Sequence, residues 1–435
     1  GTLAFGDGTD TLINSTGATD IKGATVSGLE KITMAASGNV QVSVAQLATF
    51  NATDNFSVAG VALGNAESLK VAGTSAINVI DGSGLSLSNA NLVLTGHDNV
   101  DTITGNVSND FIGDVAGNDV DTFIGGAGND TYSIVDEGEA DVFVEESSGG
   151  TDTFFITDDL SLAGVKVGTS TGGATANAPF AEFEQFVLAN NKDLTVNAAQ
   201  ISGQTIKVNT ATGAAASLLL VTGADADSTI NLSGLAVTAG SYVDANGEAA
   251  TGIAFNAGDD QVVLDAGTGE DTITLNAAFS EKLTTAAGDS GTWTLGVAGA
   301  YDSITGFGTS QDILDLPTTT IAGTGDKGAL TALGSLKYAE IAADGLVSFE
   351  DATGGGGSEV AITSTALIAE ALTDLNTLLG GTTKTAAFTA TISGVTSTYI
   401  YQGAADATDI AIELLGVTGT GLTATLADNA DVTLA

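Results

Sequence analysis

The stretch GHDNVDTITGNVSNDFIGDVAGNDVDTFIGGAGNDTYS, residues 96–133, divides into four nine-residue segments in one register. They are GHDNVDTIT (96–104), GNVSNDFIG (105–113), AGNDVDTFI (116–124) and GGAGNDTYS (125–133), with Asp114 and Val115 inserted between the second and third. The sixth place of each is an aspartate: Asp101, Asp110, Asp121 and Asp130. The eighth is Ile103, Ile112, Phe123 or Tyr132.

This register matches the G-G-x-G-x-D-x-U-x repeat of Ca²⁺-binding parallel β-helices, with only the last copy complete in its glycines. Each position has a physical task. Glycine accepts the positive φ of a tight half-turn, which turns backbone carbonyls inward. Aspartate supplies a hard carboxylate oxygen of the kind Ca²⁺ prefers. The apolar eighth residue points into a core from a short strand. Two segments make one coil, so residues 18 apart would stack, and the inserted pair stretches this to 20. The expectation is Asp101 above Asp121 on one edge and Asp110 above Asp130 on the other, with cations between stacked turns. Gly126, Gly128, Asn118 and Asp119 complete the candidate ligand set of these turns.

Pieces of the same pattern recur elsewhere. FGDGTDTL (5–12) carries Asp10, GGTDTF (149–154) carries Asp152, and NAGDDQVVL with AGTGEDTITL (256–275) carries Asp260 and Asp271. Each of these aspartates is either a calcium ligand or an ordinary turn residue. LLLVTGADADSTINL (218–232) echoes LVLTGHDNVDTIT (92–104), with Ser228 in the aspartate's place. In AYDSITGFGTSQDILDLP (300–317), Asp302, Asp312 and Asp315 flank two apolar pieces, where they either hold a further ion or cap strands.

A longer repeat is also visible. SGLEKITMAASGNVQVSVAQL (27–47) aligns without a gap with AEFEQFVLANNKDLTVNAAQI (181–201), an offset of 154. Glu30 and Glu184 are matched in it and read as structural. Alternation in VQVSV (40–44) and LTVNA (194–198) predicts strands with one buried face. STALIAEALTDLNTLLGG (364–381) predicts a helix, with Ser364 or Thr365 as cap and Gly380 as stop. That helix suits the cover of an open β core better than a partner-binding role. TSTYIYQGAADATDIAIELLGV (396–417) reads as a hairpin.

Composition narrows the function. Asp and Glu number 53 against ten Lys and no Arg, a formal net charge of −43 over 435 residues. Nucleic-acid affinity needs cations on phosphate, so that class is excluded, and an anionic membrane surface is disfavoured on the same ground. Hydrophobic residues make up 43%, so the chain can bury a core despite its self-repelling surface. Oxygen-ligated divalent cations would relieve the repulsion. There is no Cys, and no run has the length and apolarity of a membrane-spanning helix. A chain that begins at Gly1, with no signal peptide in view, is expected of a piece cut from a longer protein.

An enzyme is not expected. GTSTG (168–172) and GDSG (288–291) mimic serine-nucleophile loops, but the only base is His97, inside a nonapeptide turn. A zinc protease motif needs two His. Carbohydrate clefts usually carry aromatic platforms, and Trp293 is the only Trp.

Together the nonapeptides, D-S-I-T-G-F…Q-D-I-L-D-L, T-Y-I-Y…A-I-E-L-L-G-V and the terminal V-T-L-A resemble the RTX proteins exported by type I secretion. The body rich in Ala, Thr, Gly and Val, the missing Cys and the A-A-Q-L type repeats look most like the calcium-dependent S-layer proteins of Caulobacter-like cells. The resemblance implies an all-β fold: a calcium-stabilised parallel β-solenoid or β-roll with RTX nonapeptide turns and a small α+β C-terminal cap. It implies Ca²⁺ as structural ligand, an uncleaved C-terminal export signal read by a type I apparatus, and folding outside the cell. The partners implied are further copies of the chain in a two-dimensional lattice, and lipopolysaccharide or the cell surface through a part preceding residue 1. The expected organisation is a first solenoid unit (1–95), the calcium roll (96–150), a second solenoid unit (151–222), a degenerate RTX-like region (223–317) and the C-terminal cap with export signal (318–435). Two other readings stay open: the C-terminal part of a large RTX adhesin or biofilm-matrix protein, and the export module of an RTX enzyme.

Overall fold

A computed structural model describes the chain except at residues 16, 36–37, 54–55, 61–66, 89, 114–118, 136–140, 146–149, 170–172, 190, 211–217, 223–228, 237–240, 244–248, 252, 255–260, 266–271, 275–280, 285–301, 306, 308–312, 317–319, 331–333, 380–381, 404–409, 420, 426–430 and 435. Strand makes up 48% and helix 9%, so the protein is mostly β, and its long sheets are largely parallel. The chain forms two compact units, Gly1–Leu218 with Leu235–Asp260, and Leu219–Gly234 with Gln261–Ala435.

In the first unit, the strands Asn39–Val42, Ser68–Ala72, Asn91–Thr95, Asp110–Gly113, Thr131–Ile134, Thr153–Ile156, Gln185–Leu188 and Ile206–Thr210 pair in sequence order, each parallel to the next. Their register aligns Val42, Val71, Leu94, Ile112, Tyr132, Phe154, Phe186 and Val208 in one inward row, all buried. A second parallel sheet runs through Val79–Asp81, Thr102–Thr104, Thr122–Ile124, Val142–Glu145 and Lys166–Thr169. Its inward row is Ile80, Ile103, Phe123, Phe143 and Val167. Each eighth-place residue of the nonapeptides therefore enters the core, alternately from one sheet and the other. The period-2 alternation of side chains makes this possible, because a single strand position is inward on every rung. Between the sheets, Tyr132, Phe143, Phe154 and Phe183 pack ring against ring at centroid separations of 4.3–6.0 Å.

The tight turn 125–130 depends on glycine. Gly126 has φ 105° and Gly128 φ 126°, and a Cβ on Gly128 would overlap the carbonyl oxygen of Ser108, in the turn before strand Asp110–Gly113. Gly128→Val is therefore expected to cost about 1–3 kcal/mol through forbidden backbone geometry. A lowered thermal midpoint by circular dichroism checks this, and an unchanged midpoint would contradict the turn geometry.

The 154-residue repeat is a structural repeat. Its copies contain the strands Asn39–Val42 and Leu194–Asn197, followed by helices Val44–Asn51 and Ala198–Ile201. The strand read over 40–44 thus ends at Val42, and a helix starts within it. A capping box opens each helix, Ser43 with Gln46 and Asn197 with Gln200. Two donors that strand pairing would leave open are met locally in this way. The Gln46 amide also donates to Ile21 O and Ala24 O, and that of Gln200 to Leu162 O, tying each helix to an earlier segment of the chain.

In the second unit, Thr272–Thr274, Asp302–Thr305 and Ile410–Leu415 pair in parallel, as do Gln261–Asp265, Glu281–Thr284 and Ile313–Asp315. Lys384–Ile392 and Val395–Gln402 form a long antiparallel hairpin, and Val395–Gln402 also pairs antiparallel with Ile410–Leu415. The helix Thr365–Leu379 falls where the sequence places it and buries Ile368, Leu372, Leu375 and Leu379 against Phe388, Tyr399 and Tyr401. Among the described residues no helix is long and apolar enough to cross a membrane.

Candidate metal centre

The sixth-place aspartates do stack at 20 residues, and the contact joining them is a hydrogen bond from backbone to carboxylate. On one edge Asn78 N–H donates to Asp101 Oδ1 (2.7 Å), Asp101 N–H to Asp121 Oδ1 (2.6 Å), and Asp121 N–H to Asp141 Oδ1 (2.9 Å). On the other edge Asp110 N–H donates to Asp130 Oδ1 (2.7 Å), Asp130 N–H to Asp152 Oδ1 (2.8 Å), and Asp152 N–H to Glu184 Oε2 (2.8 Å). Near the start of the chain Asp10 N–H donates to Glu30 Oε2 (2.8 Å). Glu30 and Glu184, paired in the long repeat, therefore do the same work one rung after an Asp turn. Such charge-assisted bonds are short and stronger than neutral ones. They meet N–H groups at the turns, where the ladder between strands has ended.

The two edges differ in what is left over. Asp101 also accepts from Asn78 Nδ2 (2.8 Å) and from His97 N–H (2.7 Å), so both its oxygens are engaged. Asp130 is fully buried and its Oδ2 has no hydrogen-bond partner. Asp130 forms a cluster with Glu145 and Asp152, each residue offering one carboxylate oxygen within 4.8 Å of the others. All three residues are 0–2% exposed. Tyr132, also buried, donates its hydroxyl to Glu145 Oε1. Gly125 sits against the same point: a Cβ there would lie 2.6 Å from Asp130 Oδ2 and would overlap Glu145 Oε1 and Tyr132 Oη.

Burial dominates the electrostatics. It holds the Asp130 carboxyl well above the ordinary range, and the charges of Asp110, Glu145 and Asp152 add to the effect. Burial pushes Asp110 up to about 8, against the N–H groups of Asn106 and Leu92. Asp152 is pushed up to about 7 by burial, with Glu184 and Glu182 adding and the Asp130 N–H opposing. The Tyr132 phenol is raised by burial and by the charge of Glu145. Several carboxylates in so small a dry volume repel one another unless protons or a cation neutralise them. The cluster could hold a metal ion. Its oxygen-only donors, with neither His nor Cys, match hard cations such as Ca²⁺ or Mg²⁺ and not soft ones.

The remaining sequence candidates are dispersed. Gly126 and Gly128 shape the turn leading to Asp130, and Asp119 is half-buried beside Asp121. Asp10 accompanies Glu30, far along the chain from the cluster. Asp302 opens the strand Asp302–Thr305 and Asp315 closes Ile313–Asp315, in the second unit. Asn118, Asp260, Asp271 and Asp312 lie outside the described residues. Glu145 was not among the candidates, although V-F-V-E (142–145) alternates and so places Glu145 on the inward face with Phe143. An acid at an inward strand position was the signal available.

No protein-family model matches the chain, and neither does any curated protein or solved structure.

Proposed function

We propose that this chain is a calcium-stabilised structural protein of the RTX type: a parallel β-solenoid exported by a type I system that assembles as an S-layer subunit at the cell surface. The observation that carries the calcium reading is the buried Asp130–Glu145–Asp152 cluster with Asp130 Oδ2 unpartnered, set between two stacked parallel sheets. The two sheets are then the faces of one solenoid, and the Asp turns its corners. A net charge of −43 fits a protein completed by divalent cations and bridged by them to its neighbours. Low cytosolic calcium leaves such a chain unfolded for export. Millimolar calcium outside binds the native state alone and stabilises it by mass action, by about 2.7 kcal/mol at a hundred times Kd.

The test is to add millimolar CaCl₂ to the purified, chelated chain and follow it by circular dichroism and negative-stain electron microscopy. Folding with ordered sheets is the expected result. Folding without sheets would reject the S-layer and favour an adhesin. No response to calcium would reject the calcium reading altogether.

A further inference from the structure

We propose that the cluster of Asp130, Glu145 and Asp152 encloses one Ca²⁺, which enters only while the coils are open and is then held in the folded protein against chelators. This rests on the calcium reading above and concerns how the ion comes and goes.

Three observations lead to it. The ligands come from both sheets: Asp130 and Asp152 directly precede strands Thr131–Ile134 and Thr153–Ile156 of one, and Glu145 ends Val142–Glu145 of the other. The pocket is therefore assembled only when a coil closes and brings the two faces together. Next, the ligands are shut off from solvent, at 0–2% exposure, and Tyr132 is packed among the rings of Phe143, Phe154 and Phe183. Among the described residues these rings close off the cluster, and such close packing opposes passage of a hydrated ion. Finally, Asp130 Oδ2 is a buried acceptor with no donor, and it lies on the side of Gly125, where a Cβ would come within 2.6 Å of it. Glu145 Oε1 and the Tyr132 oxygen converge on the same point beside Gly125. The oxygens of Asp101, on the other edge, are already taken by three N–H donors, so an ion at that turn would have to displace protein hydrogen bonds. An ion in this cluster and any ion at the turns of the other edge should thus differ sharply in exchange rate.

The experiment is to refold the full chain in CaCl₂, pass it into excess EDTA, and assay retained calcium by mass spectrometry over time alongside near-ultraviolet circular dichroism. One ion per chain is expected to persist while the dichroism is unchanged, and to leave at the rate of global unfolding when guanidinium is added. Glu145→Gln, which keeps the shape and removes the charge, is expected to lose that ion within the mixing time. Gly125→Ala, which puts a methyl group into the pocket, should do the same with a different chemistry. Wild-type protein that yields all its calcium while still folded would overturn the trapped ion and leave the calcium reading standing. Protein that folds in CaCl₂ without taking up any ion would overturn both.

Discussion

Asp130→Asn is expected to stabilise the protein in chelator and to destabilise it in millimolar calcium. Without a cation, Asp130, Glu145 and Asp152 confront one another in a buried space, and burial together with the neighbouring charges holds Asp130 well above its ordinary protonation range. Asparagine is neutral at every pH, so it removes the cost of either holding a proton on Asp130 or burying its charge. It keeps an oxygen for the Asp110 N–H, which now donates to Asp130 Oδ1. Its amide nitrogen would take the place of Oδ2, near Glu145, where a donor is favourable. Relief of a buried unpartnered acceptor is worth about 1–3 kcal/mol. With calcium the sign reverses, because the ion loses a charged ligand. A tenfold weaker site costs about 1.4 kcal/mol of stabilisation at saturating calcium. Thermal midpoints of wild type and variant in EDTA and in CaCl₂ make the comparison. A shift of the same sign in both would mean that no cation binds there.

In chelator, stability is expected to fall as pH rises from about 5 to 8.5. Burial raises Asp152 to about 7 and Asp110 to about 8 in the folded state, and Asp130 is raised as well. In the unfolded chain these groups titrate near 3.9. The native state therefore holds more protons than the unfolded state between those limits. The stabilisation is complete below the unfolded value and disappears as pH climbs through the folded ones. Each such group contributes a slope of up to about 1.4 kcal/mol per pH unit. Calcium should flatten the profile, since the ion replaces the protons and releases them on binding. Urea unfolding at a series of pH values, with EDTA or with CaCl₂, reads both slopes. A profile in EDTA that rises with pH would show that the carboxylates are ionised and satisfied without any ion.

Much of the architecture was legible before any coordinates. The nonapeptide register predicted which residues stack, Asp101 with Asp121 and Asp110 with Asp130, because between parallel strands in register the sequence period becomes the spacing of neighbours. The 154-residue repeat predicted that Glu30 and Glu184 play one part, and each accepts the N–H of an aspartate earlier in the chain. Helical periodicity and a terminal glycine marked the helix Thr365–Leu379. The helices Val44–Asn51 and Ala198–Ile201 were harder to see, since a strand alternation runs straight into each. Only the spacing from Ser43 to Gln46 and from Asn197 to Gln200 announces them.

Local spacing, repeated along the chain, was thus enough to determine the rungs, the inward rows and the acidic edges of this protein. The tertiary structure alone decided which acids meet. Glu145 belongs to no motif and reaches Asp130 and Asp152 because the end of its strand in one sheet faces the turns that open strands of the other. It also decided how the aspartate oxygens are divided: one of each stacked pair is committed to an N–H of the preceding rung, and at Asp130 the other is left unpartnered. A sequence period specifies neighbours along a ladder. The distance across a core depends on how the intervening side chains, here Tyr132, Phe143 and Phe154, fill it.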